Sequence, residues 1–216
     1  MKRFAVIGLG HFGMSVAKKL YEEGREVIAV DADKERVQDA AEFSEQSICV
    51  DATDKQTLEN LELNDVDAAI VSLGERMDVI TLAALHLKEI GVPYLIVKAI
   101  SADHEKILRA IGVNEVIHPE EFAAQSLATR LSLFGVSDFL PVLPNYSVVL
   151  LKTPQCFTNQ TVSVMESKSV QVVAIQRANE MILTPSDQDI LRPDDMLILL
   201  GENQNLNRLA ERIERE

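Results

Sequence analysis

The chain has 216 residues, enough for one medium domain or for one full domain and a small one. Hydrophobic residues make up 47%, which supports a packed core and excludes a disordered chain. The net charge of -13 argues against nucleic acid or an anionic membrane surface as a direct partner, because both are gripped through basic patches.

No apolar run approaches the ~18 residues that cross a bilayer. A strand starting at the N-terminus leaves no room for a signal peptide, and Cys49 and Cys156 form no metal-type pair. The cytosol is the expected compartment, with Cys49 read as a buried strand thiol.

The first strand, Phe4–Ile7, runs into Gly8-Leu9-Gly10-His11-Phe12-Gly13, and an alanine-containing helix follows over Met14–Glu23. Strand, G-x-G-x-x-G and helix in that order form a pyrophosphate cradle. Gly8 allows the tight turn, Gly10 lets backbone approach phosphate, and Gly13 lets the helix pack on the strand. Phosphates then rest on N–H groups at a helix N-terminus, where the macrodipole favours anions. The second strand, Glu26–Val30, ends in Asp31, an acid placed to accept hydrogen bonds from ribose hydroxyls.

The alternation continues. Strands are predicted at Gln46–Val50, Ala68–Ser72, Tyr94–Val97 and Glu115–Ile117. Helices are predicted at Lys34–Phe43, Lys55–Asn60, Met77–Ile90, Ala102–Ile111 and Pro119–Phe134. Strands apolar on both faces imply a parallel sheet covered by helices, a doubly wound α/β domain over residues 1–135. Pro141 and Pro144 mark 136–145 as a linker. Short strands follow at Tyr146–Leu151, Val170–Gln176, Met181–Leu183 and Met196–Leu200, with a hairpin turn near Ala178 and a closing helix over Gln204–Arg215. Residues 146–216 thus form a small α+β unit, short for a substrate domain and ample for a sensing or dimerising one.

Catalytic candidates are few. His86 reads as packed or half exposed, His104 as a solvated first-turn residue, and His118 as a shaper of the turn before Pro119. No nucleophile elbow, Walker lysine loop or H-E-x-x-H pattern occurs. The polar residues at strand ends are more informative. Asp31 and Asp33, Asp51-Ala52-Thr53, Ser72 to Gly74, and Lys98 all fall on the carboxyl edge of the sheet, where open parallel sheets bind ligands. Asp51 can meet an adenine amino group, Thr53 can donate, and both serve equally well as helix caps. Lys98 can meet phosphate or stand in solvent.

Taken together, the stretch Ala5 to Gly13, Asp31, Asp51-Ala52-Thr53, Val97-Lys98-Ala99 and Val116 to Glu120 resemble the RCK (KTN, TrkA-N) domain. Val173 to Arg177, Pro185 and Leu191 to Gly201 resemble its companion TrkA-C (RCK-C) module. The resemblance is to cytosolic regulatory subunits of Ktr/Trk potassium uptake systems. It implies a Rossmann-like domain followed by a small α+β domain, and a gating role without catalysis. It implies ATP or ADP, or NAD(H), on Gly8, Gly10, His11, Phe12, Gly13, Asp31, Asp33, Asp51, Ala52, Thr53, Ser72, Gly74 and Lys98. It places Glu120 beside a divalent cation, magnesium or calcium, and offers Ile175, Arg177 and Pro185 to cyclic di-AMP. The implied partners are copies of this chain, as dimers in an octameric ring, and an integral membrane potassium channel subunit that holds the ring at the inner face of the membrane. His11 departs from the arginine common in Ktr subunits, which weakens the case for ATP over ADP or a dinucleotide. An NAD-dependent oxidoreductase, or a regulator of another cation transporter, are the competing readings.

Overall fold

The computed structural model describes residues 2–132, 136–166 and 169–215. The chain divides into two units, Met1–Pro119 and Glu120–Glu216.

The first unit alternates strand and helix: β1 (Arg3–Ile7), α1 (His11–Glu22), β2 (Glu26–Asp31), α2 (Lys34–Ala40), β3 (Gln46–Cys49), α3 (Lys55–Glu59), β4 (Ala68–Val71), α4 (Met77–Ile90), β5 (Leu95–Lys98), α5 (Ala102–Ala110) and β6 (Glu115–Ile117). The strands form one parallel sheet in the order β3-β2-β1-β4-β5-β6. Side chains alternate across it. Ala5, Ile7, Ile28 and Val30 pack on one face with Ile80, Ala84 and Leu87 of α4. Val6, Val27 and Ala29 pack on the other with Ala17 of α1 and Val37 of α2. An apolar residue at every position is what a sheet covered on both faces requires.

The second unit holds α6 (Pro119–Ser132), β7 (Val136–Leu143), β8 (Tyr146–Lys152), β9 (Val170–Arg177), β10 (Glu180–Leu183), β11 (Met196–Glu202) and α7 (Asn203–Arg215). Its sheet is antiparallel, in the order β10-β9-β11-β8-β7. Leu206, Ala210 and Ile213 bury one stripe of α7, and Leu206 and Ile213 join a core with Phe157, Ile175 and Leu197. Asn159 takes φ +63, a left-handed conformation that asparagine tolerates. Ala178 takes φ +52 in the expected β9–β10 hairpin.

Four expectations change. Residues 136–143 are an edge strand rather than a linker, with β7 paired to β8. Pro141 is tolerated there because an edge strand need not donate on its outer side, and a register shift follows it. Helix α6 groups with the second unit, Ser126 Oγ lying 3.4 Å from the carbonyl of Phe139. The predicted end of this helix at Phe134 and the domain limit at 135 lie outside the described residues. Cys49 is exposed, because β3 is an edge strand. His104 is fully buried rather than solvated; its Nδ1 accepts from the Ile100 N–H at 3.3 Å and its Nε2 lies 3.3 Å from Thr81 Oγ1. Burial, and then the nearby His118, push its pKa down.

Candidate functional site

The strand order reverses direction between β1 and β4, and the loops after these strands border a crevice at the carboxyl edge. The three glycines after β1 differ in what they do. Gly8 has φ +95, and a Cβ there would stand 2.2 Å from the Ser72 carbonyl oxygen. A Cβ on Gly13 would stand 1.9 Å from the Gly8 oxygen. Both are demanded by packing of the chain on itself. Gly10 is not: its φ is -65, and a Cβ there would meet no atom within 4 Å. The space beside Gly10 is open, and it lies at the start of a helix.

Gly10 is the N-cap of α1, without a side-chain cap and without an acid in the first turn. Met14 N–H is bonded to the Gly10 carbonyl at 2.9 Å, so the N–H groups of His11, Phe12 and Gly13 precede the helical ladder. His11 is exposed, Phe12 half-buried and Gly13 buried. Such an end suits an anion.

Asp31 is buried and ties two parts of the crevice together. Its Oδ2 accepts from the Leu9 N–H at 2.6 Å and its Oδ1 from the Asp33 N–H at 2.8 Å. Arg36 Nη1 stands 3.8 Å from Oδ2. Each carboxylate oxygen keeps a second lone pair. Asp33 is the N-cap of α2, accepting from the Glu35 N–H at 2.9 Å, so its structural part is plain.

Asp51 Oδ1 accepts from both the N–H and the hydroxyl of Thr53, each at 2.8 Å. These bonds hold its carboxyl below the usual carboxylate range. The capping alternative for this pair is excluded, since Asp54 caps α3 through Thr57. Asp31, Asp51, Ala52 and Thr53 line one pocket of about 480 Å³, within the range of small-ligand sites. Its apolar walls include Val30, Val50, Leu73, Val79 and Leu82.

Ser72 is buried, its N–H donating to the Ile7 carbonyl at 2.7 Å, and Gly74 has φ +52. Lys98 is the last residue of β5, two strands from β1 on the same edge. Arg76 and Asp78 also line the pocket. Sequence reasoning missed both; the signal available was their place just beyond Gly74, at the start of α4.

The remaining candidates lie elsewhere. Glu120 is an exposed first-turn residue of α6. Among the described residues no three His, Cys, Asp or Glu side chains converge as metal ligands. His118 Nε2 lies 2.8 Å from Glu105 Oε2, and Arg109 also pairs with Glu105, at 2.7 Å. Ile175 is buried in the second core. Arg177 forks onto Asp195, Nε to Oδ1 at 2.9 Å and Nη2 to Oδ2 at 2.7 Å. Pro185 is half-buried.

The TrkA-N domain model matches residues 4–119. The chain belongs to the TrkA-N family. The TrkA-C domain matches residues 157–214 of this TrkA-N protein. Ktr system potassium uptake protein C of Bacillus subtilis (strain 168) is 35% identical over 215 residues, covering 98% of this chain and 97% of the relative. Ktr system potassium uptake protein A of the same organism is 32% identical over 210 residues, covering 96% and 95%. Among solved structures, the GsuK RCK domain superposes with a TM-score of 0.66 at 16% identity, over 98% of this chain and 47% of that one. The GsuK channel bound to NAD gives 0.67 at 14% identity, over 98% and 39%. The TrkA-N protein therefore shares the RCK fold and spans less than half of those longer chains.

Proposed function

We propose that this TrkA-N protein is a nucleotide-binding regulatory subunit of a potassium uptake system and acts without turning over a substrate. Two curated relatives that match nearly its whole length are named Ktr potassium uptake proteins. The observation that carries the nucleotide reading is Gly10. Its ordinary φ and open surroundings impose no steric demand for glycine from within the chain, and it caps a helix end suited to phosphate.

Phosphates lie on the first turn of α1, ribose meets Asp31, and the base enters the pocket beside Asp51, Ala52 and Thr53. Ser72, Gly74 and Lys98 border the same edge. ATP or ADP is the first choice of ligand. NAD(H) has the support of the NAD-bound GsuK structure that shares the fold. His11 lacks the fixed charge that favours a terminal phosphate.

Copies of the chain pair, and the dimers close into a ring of eight chains in the reading carried from Ktr subunits. The ring docks on a membrane potassium subunit at the cytoplasmic face. No described helix is long and apolar enough to cross a membrane. A nucleotide shifts the ring only by binding one shape better than another. Glu120 adds a divalent cation, magnesium or calcium, when ATP is bound and a second chain supplies further ligands. Cyclic di-AMP has thinner support, because Ile175 belongs to a core and Arg177 is held by Asp195.

The test is the mass of the purified protein together with the identity of the nucleotide it releases on denaturation. A multi-chain particle carrying an adenine nucleotide supports the regulator. A monomer that oxidises a small alcohol with NAD overturns it.

A further inference from the structure

The pocket beside Asp51 has a mouth residue that the nucleotide reading leaves without a task. Arg76 is the one cation among the described residues lining that pocket, and Asp31, Asp51 and Asp78 belong to the same lining. Gly10, His11 and Gly13 are not part of the lining, so this is the nucleoside end of the crevice and not the phosphate end. Its remaining walls are apolar, as a flat base requires, and its carboxylates accept from donors such as an amino group and ribose hydroxyls. Three carboxylates against one guanidinium make it a poor place for a further phosphate.

Arg76 precedes α4 with extended backbone, φ -86 and ψ 101, and its side chain is 75% exposed. The guanidinium is gripped in a fork by Asp78, with Nε to Oδ1 at 3.3 Å and a second bond from Nη2 to Oδ2. A fork fixes the plane of the group as well as its position. Asp51 lies close enough for the two charges to stabilise one another.

Resting on the nucleotide reading above, we propose that Arg76 is the lid of the base pocket: its guanidinium plane stacks on the purine ring whose edge meets Asp51. Asp78 acts as a positioning residue that sets the plane. Base affinity then depends on a residue that never touches phosphate.

Calorimetry with adenosine, ADP and ATP on wild type, Arg76→Ala and Arg76→Lys tests this. Arg76→Ala is expected to weaken all three ligands by one common factor, about 3- to 30-fold. Arg76→Lys recovers only part, since lysine has no plane to stack. The melting temperature of either variant without ligand stays at the wild-type value, because the pair with Asp78 is exposed. Unchanged affinities would overturn the inference. So would a loss that grows from adenosine to ATP and fades with salt, which would put Arg76 on the phosphates. If the wild type binds none of the three, the nucleotide reading falls and this inference with it. If the wild type binds and Arg76→Ala binds equally well, only the lid falls.

Discussion

The Oδ2 of Asp31 accepts a hydrogen bond from the backbone N–H of Leu9 at 2.6 Å. One carboxylate, buried at the end of β2, therefore fixes the glycine turn after β1. The group proposed to read ribose also sets the loop proposed to hold phosphate, so the two ends of the ligand are not recognised independently.

Asp31→Ala should thus cost more than a ribose contact. Nucleotide affinity is expected to fall by roughly 1–3 kcal/mol, since a charged acceptor is lost. The ligand-free protein should also melt earlier, because the Leu9 and Asp33 N–H groups lose their acceptor. Calorimetry and a thermal melt together check this; an unchanged melt would show that the turn holds itself.

The glycines allow a sharper division. Gly10→Ala should leave the ligand-free fold within about 1 kcal/mol of wild type, as its backbone is ordinary and the space is open. Nucleotide affinity should fall about tenfold or more, roughly 1.4 kcal/mol. Gly13→Ala should destabilise the fold itself by about 1–3 kcal/mol, since its Cβ would collide with the Gly8 oxygen. Equal effects of both changes on stability would contradict the assignment of Gly10 to a ligand.

In the second unit, Asp195 is buried and paired with Arg177. Burial raises its pKa, but the Arg177 fork and the Arg192 N–H outweigh this and leave it lowered. With the folded value below the unfolded one, the pair stabilises the fold fully above the ordinary carboxylate value. That contribution is lost as pH falls through the lower, folded value. Asp195→Ala should cost about 3 kcal/mol at neutral pH, by taking the paired carboxylate away from a half-buried guanidinium. The difference between variant and wild type in chemical denaturation should shrink below pH 4, about where carboxylates ordinarily titrate.

Glu120→Gln should reduce the dependence of ATP binding on magnesium or calcium while sparing ADP. Titrations with and without chelator check this. An equal loss for both nucleotides would assign Glu120 to the helix dipole rather than to a cation.

Much of the first unit was legible because a covered parallel sheet writes itself as continuous apolar strands, such as Ala5-Val6-Ile7 and Ala68 to Val71. Strand β7 was not legible. Pro141 and Pro144 carry the composition of a linker, and only pairing with β8 makes the segment a strand. His104 reads as solvated because it stands in a charged first turn. Its burial depends on Thr81 of α4, a contact that local sequence does not encode. Cys49 reads as buried because a short apolar strand looks the same at a sheet edge as at its centre. At the site, Asp31 and the glycines follow a fixed spacing and were read directly. Arg76 follows none, and becomes visible only when the fold brings it into one pocket lining with Asp31 and Asp51.

Small-angle scattering of the purified protein, without nucleotide, with ADP and with ATP, tests the central claim most directly. The account predicts a particle of several chains whose profile changes on adding nucleotide and differs between the two. A profile of one chain, or an assembly indifferent to every adenine nucleotide, would contradict it.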